Sequence, residues 1–134
     1  GMVLMDGSGL SGQNRVSAVT VSQLLLKVKS EPRLKVIYDS LPVSGESGTL
    51  IGRYHSTAPQ AVGLVRAKTG SLTGVKALSG FASEKAGAPI FALFYNGSGV
   101  NEESYFRPRW TDLVTRLLSF ARPSDSALDV TPGQ

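Results

Sequence analysis

VGLVRAKTGSLTGVKALSGFASEKAGAPIFALFY, residues 62–95, is the stretch that decides the fold. Its apolar residues come in short bursts broken by glycine, serine and proline, the pattern of strands and turns and not of a helix. Residues 62–68 and 75–83 read as two strands separated by 69–74. After a turn at 84–87 and Pro89, the run Ile90-Phe91-Ala92-Leu93-Phe94-Tyr95 reads as a third. Connections this short cannot carry a parallel crossover, so the three strands are expected to be consecutive and antiparallel.

On either side of this sheet the period changes to that of helices. Upstream, Val21, Leu24, Leu25 and Val28 share a face behind Ser17, a good N-cap, and Lys27 and Lys29 follow near the end. This spacing predicts a helix over 18–29. Ser30-Glu31-Pro32 can cap a second short helix whose face carries Leu34, Ile37 and Leu41 and which ends before Pro42. Residues 43–61, rich in glycine and serine and interrupted by Pro59, read as loop with at most one short helix. At the N-terminus, Met2-Val3-Leu4-Met5 suggests a short strand running into the turn Asp6-Gly7-Ser8-Gly9. Downstream of a glycine-containing loop at 96–101, Trp110, Leu113, Val114, Leu117, Leu118 and Ala121 predict a helix over 109–121 with its apolar stripe on the sheet. Pro123, Pro132 and the lack of periodicity predict a flexible tail at 122–134. The expectation is therefore one α+β domain over 1–121: a three-stranded antiparallel sheet with N-terminal helices and a C-terminal helix.

Composition narrows the function classes. A chain of 134 residues, 41% hydrophobic, can bury one core. The 14 basic and 10 acidic residues leave a charge of +4, but the basic ones are scattered. Lys27-Val28-Lys29 and Arg107-Pro108-Arg109 are the densest groups, so no nucleic acid is expected as a partner. Attraction to an anionic wall polymer or membrane surface fits such a charge. The absence of cysteine excludes a disulfide framework, a thiolate nucleophile and a cysteine metal site. Apolar runs fall far short of the roughly 20 residues of a membrane span, and no basic-then-apolar leader opens the chain, so an export signal is expected elsewhere. His55 is the sole histidine and has no acid in a recognisable arrangement, which argues against a Ser-His-Asp triad. Arg53 and Glu46, in a loop, read as solvated.

The chemistry-bearing segment is Lys68-Thr69-Gly70-Ser71. A lysine at a strand end facing a cleft offers charge to a carboxylate and can influence proton transfer, Thr69 and Ser71 can donate hydroxyl hydrogen bonds, and Gly70 lets another backbone approach. A solvated lysine beside an ordinary turn is the simpler reading of the tripeptide alone. The longer pattern is more specific. Residues 67–72 with Gly74-Val75 and Leu78-Ser79-Gly80-Phe81 resemble the class C low-molecular-mass D-alanyl-D-alanine carboxypeptidases of the penicillin-binding and β-lactamase superfamily. Leu4-Met5-Asp6-Gly7-Ser8-Gly9-Leu10-Ser11 resembles a second hallmark of that family. Leu41-Pro42 with Gly48-Thr49-Leu50 and Arg53 resembles a third, in the right order, so that the resemblance covers roughly residues 3–121.

The resemblance implies the C-terminal portion of a penicillin-binding, transpeptidase-like domain. It implies catalytic roles for Lys68, Thr69 and Gly70, and substrate contacts from Ser71, whose N–H helps form an oxyanion hole, and from Leu72, Thr73, Ser8 and Leu10. The substrate would lie along the strand as an added strand. Asp6-Gly7-Ser8-Gly9 is also plain turn chemistry with Asp6 as its cap, and that alternative stays open. Many relatives carry arginine where this chain has Gly12; Arg15 is the residue that could reach the same place. The superfamily also needs a Ser-x-x-Lys nucleophile motif and a Ser-x-Asn. No lysine here has a serine three positions before it, and no asparagine has one two before. The resemblance places both upstream of Gly1, so the chain is expected to be truncated and inactive alone. The intact protein is then expected to be an extracytoplasmic serine-type D-Ala-D-Ala carboxypeptidase, with endopeptidase action also open. Its substrate would be peptidoglycan stem peptides, its inhibitors β-lactams, its partner the missing N-terminal part, with no metal and no organic cofactor. The alternative is a noncatalytic module that binds wall peptides through the same strand.

Overall fold

Thr73 and Gly74 alone connect the first two strands, because Gly74 takes the left-handed φ of 71° that so tight a reversal requires. The computed structural model of the chain describes residues 1–82 and 89–121; the turn expected at 84–87 and the tail expected at 122–134 lie outside the described residues. The three strands are β1 (Arg66–Leu72), β2 (Val75–Phe81) and β3 (Ile90–Asn96). They pair antiparallel in the order β1-β2-β3, from Leu72↔Val75 to Arg66↔Phe81 and from Val75↔Asn96 to Phe81↔Ile90. The expected linker at 69–74 is corrected: Thr69 to Leu72 are strand, since a two-residue turn lets them keep pairing. Residues 62–65 precede the strand and do not belong to it.

Side chains alternate across the sheet, and each face has its own helix. Ala67, Leu78 and Phe91 share the core on one face with Phe106, Trp110, Val114 and Leu118 of α3 (Glu103–Ala121). On the other, Phe81 and Ile90 meet Leu25 and Val28 of α1 (Ala18–Ser30), whose N-cap is Ser17 as the sequence suggests. A 3-10 turn at Pro32–Leu34 leads into α2 (Lys35–Ser40). In this pair Leu34 and Leu41 face inward as expected, but Ile37 is 40% exposed and Tyr38 takes its place, stacking edge-on against Phe81 at 4.9 Å.

Two further expectations are corrected. Helix α3 starts at Glu103 and not at 109, so Pro108 lies inside it. A proline early in a helix forfeits one hydrogen bond. Burial of Phe106 in line with Trp110, Val114 and Leu118 offsets that loss, since these i, i+4 neighbours form the stripe that holds the helix to the sheet. The middle third contains two 3-10 helices, Gly48–Leu50 and Pro59–Ala61, in place of at most one. They are held because Leu50 and Ala61 are fully buried. A second fastener is Ser44, also fully buried, whose hydroxyl donates to Ala61 O and accepts from Val65 N–H at 3.1 Å. The N-terminal segment forms only an antiparallel bridge between Val3 and Arg15, with Met2 to Met5 each more than half exposed.

Candidate functional site at the edge of the sheet

Strand β1 is an edge. Its N-terminal end is held by Ala67 N–H, which donates to Pro42 O at 3.0 Å on the side away from β2, next to a bridge between Val43 and Arg66. Backbone groups of an antiparallel strand alternate in direction, so Thr69 and Ser71 turn their N–H and C=O groups the same way, outward. The open edge therefore begins where Lys68-Thr69-Gly70-Ser71 begins.

Around that edge the side chains divide by parity: Lys68 and Gly70 on the face of α1, Thr69 and Ser71 on the face of α3. Lys68 is exposed, and its Nζ donates to Thr69 O, an outward carbonyl of the edge, at 2.7 Å. The Thr69 hydroxyl donates to Thr49 Oγ1 at 2.8 Å, joining Gly48-Thr49-Leu50 to Lys68-Thr69-Gly70. Ser71 is exposed, and its Oγ accepts from Asn101 Nδ2 at 3.3 Å and Lys76 Nζ at 3.4 Å. Leu72 is half-buried at the end of the strand and Thr73 is exposed in the turn. At Gly70 the observed constraint comes from within the sheet: a Cβ there would stand 3.2 Å from Ala77 Cβ on β2.

Lys76 sits opposite Ser71 on β2, with its ammonium 4.1 Å from the centre of the Phe106 ring. Partial burial, aided by the charge of Arg53, lowers its pKa. Arg53 is not simply solvated as its loop position suggested. Its guanidinium lies 5.5 Å and 5.8 Å from the Phe106 and Trp110 rings, a desolvated cation–aromatic arrangement. Arg53, Tyr54, Trp110, Thr57 and Thr111 line a cavity of about 500 Å³, to which no residue of 68–73 contributes. Burial there raises the Tyr54 hydroxyl to a pKa of about 12.

The Asp6 loop is built around one carboxylate. Asp6 accepts from Ser8 Oγ and Asn14 Nδ2 at 2.8 Å each and from the N–H groups of Gly9, Leu10 and Ser11 at 3.0–3.2 Å. Those bonds, Asn14 and Ser8 foremost, hold its pKa at about 2. The capping reading of Asp6 is thus realised. Ser8 and Leu10 direct their hydrogen bonds into this loop, and Leu10 is 72% exposed. No hydrogen bond joins either of them to Thr73 among the described residues. Arg15 does reach position 12: its Nη1 donates to Gly12 O at 2.7 Å.

The sequence that forms this edge matches, over residues 1–116, the model of the D-Ala-D-Ala carboxypeptidase 3 (S13) family. The chain belongs to that family. Among its relatives, the D-alanyl-D-alanine carboxypeptidase of Actinomadura sp. (strain R39) is 47% identical over 102 residues, 72% of this chain and 19% of the relative. Carboxypeptidase DacB of Mycolicibacterium smegmatis is 42% identical over 104 residues, 74% of this chain and 23% of the relative. Penicillin-binding protein 4 of Haemophilus influenzae superposes with a TM-score of 0.74 at 31% identity, over 87% of this chain and 27% of the neighbour, and a second structure of it holds a β-lactam. The S13 chain thus has a penicillin-binding fold, as its motifs implied, and spans about a fifth to a quarter of the curated relatives it matches. Asn101 and Lys76 were missed in the sequence: Asn101 lies in a loop without periodicity, and Lys76 reads as an ordinary strand lysine.

Proposed function

We propose that this chain supplies the Lys68-Thr69-Gly70 wall of a serine-type D-Ala-D-Ala carboxypeptidase that acts outside the cytoplasm on peptidoglycan stem peptides. The observation that carries the reading is the open edge of β1, with the N–H groups of Thr69 and Ser71 turned outward beside Lys68. A peptide ending in D-Ala-D-Ala lies along this edge as an added strand. Its terminal carboxylate faces the hydroxyls and the Lys68 charge, and the carbonyl under attack takes its hydrogen bond from Ser71 N–H. The acylated serine comes from a Ser-x-x-Lys elsewhere in the intact protein, and water then releases the acyl group. β-Lactams are acylating inhibitors of the same site. Arg15, whose Nη1 donates to Gly12 O, supplies the cation at the position where many relatives carry an arginine for an acidic side chain.

A second reading, a noncatalytic wall-peptide binder, rests on the same open edge of β1, which can take up a peptide without any nucleophile. One experiment separates the two. The 134-residue chain is titrated with N-acetyl-D-alanyl-D-alanine and followed by ¹H–¹⁵N spectra, and the longer protein that carries the upstream sequence is treated with fluorescent penicillin. Shifts confined to β1 together with labelling of the longer protein support the enzyme. Shifts without labelling support the binder, and no shift along β1 together with no labelling of the longer protein sinks both.

A further inference from the structure

Asn101 lies between β3 and α3, and its side chain grips the turn that closes β1 onto β2. Its Oδ1 accepts from Gly74 N–H at 2.9 Å, and its Nδ2 donates to Leu72 O at 3.0 Å and to Val75 O at 3.1 Å. These three backbone partners fix which end of the amide is oxygen, because one is a donor and two are acceptors. Gly97 N–H adds a backbone bond to Gly74 O at 2.9 Å, so the turn is held from the α3 side at two points.

The same Nδ2 stands 3.3 Å from Ser71 Oγ, which shares one of the two hydrogens given to Leu72 O and Val75 O, and Lys76 Nζ offers a hydrogen of its own at 3.4 Å. Both neighbours can only donate. A serine hydroxyl has two acceptor positions and one hydrogen. With donors on its acceptor side, Ser71 keeps its own hydrogen for something outside. Thr69 differs, since its hydrogen is committed to Thr49.

Resting on the proposed function, we infer that Asn101 is a positioning residue that, with Lys76, holds Ser71 as a hydrogen-bond donor to the substrate's terminal carboxylate. Asn101 touches no substrate. It acts by fixing the turn and by occupying the acceptor side of Ser71 Oγ.

The test compares N-acetyl-D-alanyl-D-alanine with its C-terminal amide, which lacks the carboxylate, on the 134-residue chain. Dissociation constants are read from ¹H–¹⁵N shifts for the parent, Asn101→Ala, Ser71→Ala and the double variant. Loss of one charge-assisted hydrogen bond predicts about tenfold weaker binding of the acid in Asn101→Ala, little change for the amide, and no further loss when Ser71 is already alanine. Equal weakening of acid and amide, or an undiminished effect of Asn101→Ala in the Ser71→Ala background, overturns the inference. If Asn101→Ala loses its fold, Asn101→Asp keeps the acceptor for Gly74 N–H but not the donor. It also turns an acceptor toward Ser71 Oγ and draws that hydrogen inward, so the acid should bind more weakly by a factor that shrinks once Ser71 is alanine, and an equal factor in both Ser71 backgrounds overturns the inference. Failure of the parent to bind the acid overturns this inference, and the proposed function falls with it when the longer protein also takes up no fluorescent penicillin. Parent binding with an unaltered Asn101→Ala constant overturns the inference alone.

Discussion

Two polar residues carry more of the architecture than their size suggests. Asp6 gathers five hydrogen bonds at one carboxylate, and its pKa of about 2 is the thermodynamic trace of that loop. The folded value lies below the ordinary aspartate value of 3.8, so the loop's contribution is fully present above about pH 4 and is lost as pH falls toward 2. A pH titration followed by the amide signals of Leu10 and Ser11 should show this transition in the parent and its absence in Asp6→Asn. Ser44 acts at the other side of the sheet, where its hydroxyl is the acceptor for buried Val65 N–H just before β1. Ser44→Ala leaves that N–H without a partner and should cost about 1–3 kcal/mol, measurable as a lower urea midpoint with unchanged slope.

Elements were legible in the sequence to the extent that one face of each is buried. The β1–β2–β3 order follows from short apolar runs and short connections, and α1 follows from its capped apolar stripe. The first turn of α3 was hidden because Pro108 looks like a barrier, whereas what sets the start is burial of Phe106. The Lys68-Thr69-Gly70-Ser71 edge was legible as chemistry. The side-chain bonds of Asn101 to groups 26–30 residues away were not, because they leave no periodic mark. Within β2, Gly80 of the Leu78-Ser79-Gly80-Phe81 pattern is demanded by packing: an added Cβ would meet Ala67 Cα at 2.6 Å as well as Arg66 O. Gly80→Ala should therefore push β1 away from β2 and destabilise the chain by about 1–3 kcal/mol in chemical denaturation. It should also weaken dipeptide binding at an edge it does not touch.

At the scale of the whole molecule, the S13 chain is a sheet with a helical layer on each face and, among the described residues, one long side of β1 uncovered beyond Ala67. A row of outward N–H and C=O groups that accepts an extended peptide does not distinguish a wall peptide from another protein strand. A second copy of β1 is such a strand. Antiparallel pairing of two copies about Thr69 would set each Lys68 opposite Gly70 and make the two lysines diagonal neighbours on one face, where like charges repel. Replacing Lys68 with valine removes this repulsion and adds a residue that favours strands. Sedimentation velocity should accordingly show concentration-dependent dimers in Lys68→Val and not in the parent at low salt. The lysine proposed to draw a carboxylate to the edge is thus also the gatekeeper that keeps two copies from pairing through it.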